Sequence, residues 1–209
     1  MKRALPPTSS LESRARGRQQ SLLAVAHRLA GRTVVAVDSR TVSIRLETFA
    51  AGAYRDTFHV LLRARDGDGG GLVVWRHTVP AFVPIRALQA RHLPHDVQGF
   101  VDAVDDHLQP YAMRRQAVAE LVQRHPAARV ESNAACTLVT IAVGGGSAAK
   151  MTVQLQADDL LKSRCEKVAV LETAAAGEAA EKRPRRAFEA EKVFAGLSMA
   201  DAMDVIATK

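Results

Sequence analysis

Four of the seven histidines, three clustered aspartates, two glycine-rich runs and both cysteines are the residues of this sequence that could do chemistry. His92 and His95, flanked along the chain by His77 and His107, invite a metal site. No cysteine is near them, however, and the ligands would have to come from a proline-interrupted loop, whereas zinc sites show tighter paired spacing. Asp102, Asp105 and Asp106 resemble a carboxylate cluster suited to acid–base work. They fall early in a helical pattern, where acidic side chains serve as a solvated complement to the helix dipole. The runs GDGGG (67–71) and GGGS (144–147) lack the lysine and the strand-to-helix context of a phosphate-cradling loop and read as hairpin turns. Cys136 and Cys165 form neither a disulfide framework nor a ligand cluster and read as small apolar fillers. No serine or cysteine sits in a nucleophile-elbow context. These features predict a protein with no catalytic residue, no bound metal and no cofactor, one that works by binding.

Charge narrows the kind of binding. The net charge is +7, but residues 1–32 hold seven cations (Lys2, Arg3, Arg14, Arg16, Arg18, Arg28 and Arg32) against Glu12, a local +6, which leaves the rest of the chain close to neutral. A basic arm of this kind supports salt-sensitive phosphate binding, so Lys2, Arg3, Arg14, Arg16 and Arg18 are candidate DNA contacts, without an aromatic platform for bases. A second charged stretch, Lys182, Arg183, Arg185 and Arg186, is diluted by Glu178, Glu181, Glu189 and Glu191 and reads as solvated linker and helix surface. No apolar run approaches the roughly 20 residues needed to span a bilayer, and the start lacks a secretory h-region, so a soluble intracellular protein without membrane contact is expected.

The elements that must position any binding surface follow from periodicity. Residues 1–10 read as a disordered basic lead-in. Leu22, Val25, Ala26 and Leu29 lie on one face of a helix over about 11–30 that Gly31 stops. TVVAV, TVSIRLETF, YRDTFHVLLRA and LVVWRHTV then form an antiparallel meander, with Val42, Ile44 and Leu46 alternating against Ser43, Arg45 and Glu47. PAFVPIRALQARHLP reads as an extended, proline-bracketed segment. A helix or helix pair spans about 96–124, with Pro110 expected to kink or divide it just before Tyr111. The remainder repeats the plan: VESNAACTLVTIAV, AAKMTVQLQA and CEKVAVLET as strands, a loop over 174–184, and one helical segment from about Arg185 to Thr208. The expected class is α+β, two sheet-and-helix units over 11–125 and 126–209.

One constellation rises above this background. Pro80 and Pro84 bracket Phe82, fix two φ angles and bias Val79 and Val83 to extended geometry, so the segment becomes a stiff strap that points Phe82 and Ile85 beneath the following helix.

Three stretches carry a family resemblance: RLAGRTVVAV with IRLETFAAGAYRDTFHVLL, then LVVWRHTVPAFVPIRALQARHL, then FVDAVDDHLQPYAMRRQAVAEL. Together, over about 22–125, they resemble the centromere protein O (CENP-O) family, most specifically in the HTVPxFxP segment followed by a helix ending in a Tyr-x-x-Arg-Arg turn. The resemblance implies tandem RWD domains, with Pro80 and Pro84 similar to the prolines of that fold's Tyr-Pro-x-x-x-Pro motif and Val79 in place of the tyrosine. It also implies a structural, non-enzymatic subunit of the inner kinetochore in the nucleus, pairing with a CENP-P-like protein as a heterodimer and associating with CENP-Q- and CENP-U-like subunits. A basic nucleic-acid-binding protein and an RWD-type adaptor are the alternative readings. LVVWRHTV and CTLVTIAV have apolar residues at consecutive positions, where a half-exposed strand would alternate, so a chain expressed without its partner is expected to aggregate.

Overall fold

The computed structural model describes residues 31–65, 71–93, 95–144, 150–173 and 184–207. The expected arm and first helix (1–30), the 174–183 part of the linker and most of both glycine runs lie outside the described residues.

Among the described residues nine strands form two antiparallel sheets. The first runs β1 (Arg32–Ala36), β2 (Thr41–Ala50), β3 (Ala53–Ala64) and β4 (Leu72–His77), in that order. The second runs β5 (Arg129–Ser132), β6 (Leu138–Val143), β7 (Lys150–Gln156), β8 (Lys167–Thr173) and β9 (Arg185–Arg186). Helices α1 (Ile85–His92) and α2 (Val97–Arg124) follow the first sheet, and α3 (Phe188–Gly196) and α4 (Met199–Ala207) follow the second. The architecture is the α+β plan of two small sheet-plus-helix units.

The period-2 alternation of β2 places Ile44 and Leu46 in the first core with Phe58, Val60 and Leu62 of β3, under Phe100, Val104 and Leu108 of α2. Gly31 enters β1 at φ 72°, where an added Cβ would lie 2.7 Å from the Glu47 carbonyl oxygen, so the position admits only glycine. A two-residue turn with both residues at positive φ, Ala51 and Gly52, closes β2 onto β3. The register shifts beside it, and there the Thr48 hydroxyl accepts from the Asp56 N–H at 3.1 Å. In the second core Val139, Ile141, Val153, Leu155 and Val170 meet Leu121 of α2, Phe194 of α3 and Met203 of α4.

Helix α2 therefore serves both cores. It starts where Asp96 accepts from the Gly99 N–H at 2.8 Å, an N-cap, and continues unbroken past Pro110 for 28 residues. Pro110 does not divide it. The proline removes one donor, and the bond it forfeits would have gone to the carbonyl of Asp106, an exposed residue whose backbone water can reach. The Tyr-x-x-Arg-Arg stretch consequently lies mid-helix rather than at a helix end.

Four further expectations are corrected. The proline-bracketed segment is not extended: the Val83 N–H bonds to the Pro80 carbonyl at 3.1 Å, a tight turn, and IRALQARH is helix α1. VESNAACTLVTIAV is two strands, because the Asn133 side chain accepts from the Thr137 and Leu138 N–H groups at 2.8 and 3.2 Å and Cys136 takes φ 51°, folding a hairpin. The C-terminal helical segment is two helices, broken at Leu197–Ser198, where the Ser198 hydroxyl accepts from the Asp201 N–H at 3.2 Å and starts α4. Arg185 and Arg186 do not open that helix but pair with β8. No helix among the described residues is long and apolar enough to cross a membrane.

Candidate protein-interaction site

Pro80, Phe82 and Pro84 frame a turn whose fully buried members are the neighbours Val79, Val83 and Ile85. Phe82 itself is half-buried at the margin of the first core, with its ring 5.0 Å from that of Tyr111 on α2. One helical turn further, two arginines reach in opposite directions. Arg115 donates from Nη1 to both carboxylate oxygens of Asp56 on β3, at 2.9 and 3.0 Å. Arg114 is completely buried and donates only to backbone carbonyls: Nε to Ala135 at 3.1 Å, and Nη1 to Leu160 at 3.0 Å and to Lys162. These carbonyls belong to the β5–β6 turn and the β7–β8 loop, so one side chain ties two loops of the second unit to α2. Burial pulls the guanidinium below its ordinary pKa, and no carboxylate among the described residues lies within bonding range to offset that. The Tyr-x-x-Arg-Arg stretch is thus an internal staple joining α2 to the proline turn, to the first sheet and to the second unit.

Both ends of α2 are clamped by charge. Arg32 of β1 donates to Asp105 at 2.7 and 3.2 Å and to Asp102. Burial opposes its charge, but the two carboxylates outweigh that and hold its pKa above the ordinary range. Two members of the aspartate cluster are therefore a tether for an edge strand rather than a solvated first turn, since α2 has no acidic residue in its first turn and Asp105 is buried. Arg32 likewise belongs to the folded body and not to a free basic arm. At the far end Arg124 bonds Asp201 at 2.8 Å, Asp204 and Glu120, holding α4 against α2. Apart from the i,i+4 spacing of Glu120 and Arg124, sequence reasoning had no signal for these pairs.

Two apolar surfaces remain open on the first unit. In β1, Gly31 accepts from the Glu47 N–H and Val37 donates to the Thr41 carbonyl, so the alternation leaves the main-chain groups of Arg32, Val34 and Ala36 on the outer edge. No strand among the described residues pairs there, and Val34, Val35 and Val37 are 64%, 54% and 57% exposed. At the opposite edge the Gln89 side chain of α1 accepts from the Val74 N–H at 2.9 Å and blunts strand addition. The sheet's open face carries Trp75, the single tryptophan of the chain, and it is 43% exposed.

The remaining sequence candidates are scattered. No three His, Cys, Asp or Glu side chains among the described residues group as metal ligands. Cys136 is buried, and burial pushes the half-buried Cys165 thiol up, as suits an unreactive filler. Lys2, Arg3, Arg14, Arg16 and Arg18 lie outside the described residues.

The family described as Cenp-O kinetochore centromere component matches residues 26–203, which takes in both sheets, helices α1 to α3 and the first part of α4. The chain belongs to this family. Among relatives of the Cenp-O family, Centromere protein O of Xenopus tropicalis is 31% identical over 80 residues, 38% of this chain and 25% of that protein. Centromere protein O of Gallus gallus is 29% identical over 98 residues, 45% of this chain and 29% of that protein. The aligned part thus spans under a third of each relative's length. Within this Cenp-O family chain, the proline turn and the Tyr111–Arg115 staple are features of internal architecture, whereas among the described residues the β1 edge and the face carrying Trp75 are open surfaces of the first sheet.

Proposed function

We infer that this chain is a structural, non-enzymatic subunit of the inner kinetochore, located at the centromere in the nucleus, where it pairs with a CENP-P-like subunit and joins CENP-Q- and CENP-U-like subunits to support kinetochore assembly and chromosome segregation. The observation that carries this reading is the Cenp-O family match over 26–203, because it covers both units instead of one local motif. In this reading the chain is a tandem RWD protein, its units are 11–125 and 126–209, and α2 is the helix they share. Pro80, Phe82 and Pro84 set the turn that seats α1, and Lys2, Arg3, Arg14, Arg16 and Arg18 add a weak, salt-sensitive DNA contact.

The unpaired β1 edge supports an obligate partner. A five-residue β-branched strand with its outer main-chain groups open is a template for strand pairing, and a chain of related architecture would offer the matching edge. The reading is tested by tagging the protein at its own locus in dividing cells. Centromeric foci and co-purification of a CENP-P-like protein are the expected result; a diffuse signal together with an unrelated set of co-purifying proteins would overturn it.

A further inference from the structure

The open face of the first sheet has an unusual composition for a surface of this size. Cross-strand register places Val35, Ser43, Leu61 and Arg76 in one row, and Arg63 opposite Val73 in the next. The register shifts between Leu61 and Leu62, leaving Trp75 as the extra residue of a β-bulge. The bulge matters because successive strand residues ordinarily point to opposite faces, whereas here Trp75 and Arg76 share one. The Arg63 guanidinium lies over the indole at 3.7 Å from the ring centroid and that of Arg76 at 4.5 Å. Around this stack Val35 is exposed and Leu61 and Val73 are half-buried.

Apart from their contacts with Trp75, the two guanidinia of this patch have no salt-bridge partner among the described residues. Asp38 feels Arg63 only through space and spends its hydrogen bond on the Arg40 N–H. Arg45, another exposed cation of this sheet, is paired with Glu47 at 2.5 Å. A guanidinium stacked on a ring keeps its N–H groups in the plane of the stack, free to meet carboxylates edge-on, with its rotamer already fixed.

We propose that this face, formed by Trp75, Arg63, Arg76, Leu61 and Val73, docks a partner-protein segment in which carboxylates flank an apolar side chain. The apolar side chain covers Leu61 and Val73, and the carboxylates meet the two stacked guanidinia. Charge complementarity selects this occupant over a single-stranded nucleic acid, which needs an aromatic face free for base stacking; Arg63 already occupies that of Trp75. The surface is separate from the β1 edge, so it stands or falls independently of the heterodimer.

Because Trp75 is the only tryptophan, its emission reports on this face alone. The full chain, with its partner's tryptophans changed to phenylalanine where the two are co-purified, is titrated with three probes. These are a tryptophan-free peptide with aspartate and glutamate around Leu and Phe, the same peptide with asparagine and glutamine, and a thymidine oligonucleotide. The acidic peptide is expected to shift Trp75 emission saturably and more weakly as salt rises, and the R63Q/R76Q variant to bind it about tenfold or more weakly with an unchanged circular dichroism spectrum. Equal binding of the amide peptide, a shift by the oligonucleotide but not by the acidic peptide, or no shift by any probe would overturn the proposal.

Discussion

The two sheets are built alike and finished differently. Each is a short antiparallel sheet covered on one face by helices that include part of α2, yet their open faces share little. The second sheet presents mainly Thr140, Ala142, Thr152, Gln154 and Ala169, small or neutral polar side chains, with the exposed Leu138 and the half-buried Leu171 as its larger apolar members. The first presents the Trp75 stack, Leu61, Val73 and an apolar free edge. A common core plan fixes the inward positions, so the difference in role falls on outward ones, where no packing constraint chooses the residue. Under the proposed function, the first unit would meet partners through its sheet, whereas the second is tied to α2 through Arg114.

The largest expected effect breaks that hold. Arg114→Ala removes a buried side chain and leaves the Ala135, Leu160 and Lys162 carbonyls short of donors, which should cost about 4 kcal/mol or more. Hydrogen exchange should then show β5–β8 unprotected while β2 and β3 stay protected, and uniform protection would mean that the two units do not separate in this way. Phe82→Ala acts on the first unit instead. A fully buried phenylalanine costs about 3–5 kcal/mol to truncate. Phe82 is half-buried, so about 2–3 kcal/mol is expected, read as a lower urea midpoint; an unchanged midpoint would place Phe82 outside the energetics of the core.

Arg32→Ala should cost about 1–3 kcal/mol, since it leaves the buried Asp105 with only Gln109, at 3.3 Å, as a side-chain partner. Its mark would be loss of amide protection in β1 ahead of the rest of the sheet. Arg124→Ala, at an exposed clamp, should move the melting temperature by no more than about 2 °C. Acid touches the same clamp. The Ser198 hydroxyl, and after it Arg124, holds the Asp201 carboxyl below the usual range. A depressed carboxylate adds stability above its unfolded pKa and loses it as pH falls through the folded one. The α4 end should therefore loosen slightly below about pH 4, and Asp201→Asn should abolish that acid dependence.

What the sequence disclosed was local. The alternation along β2, the helical pattern opening at about residue 96 and the short meander connections are set by residues within a few positions of one another. The arginine contacts are not: Arg32 meets Asp102 across 70 residues and Arg114 meets Lys162 across 48, distances over which no spacing rule operates. Pro110 was misleading because a proline's local penalty is offset when tertiary packing on both sides of it holds the helix. The β4 bulge, which turns Trp75 and Arg76 to one face, leaves no trace in the run LVVWRHTV beyond its consecutive apolar residues.

The central proposal, that this chain is half of an obligate pair, is tested most directly by expressing it alone and with the proposed CENP-P-like partner and passing both through size-exclusion chromatography with light scattering. The account predicts aggregates or ill-defined oligomers for the single chain, and for the pair a one-to-one complex burying on the order of 2,000 Å² or more, as obligate partners do. A stable, dispersed monomer that elutes unchanged in the presence of the partner would contradict it.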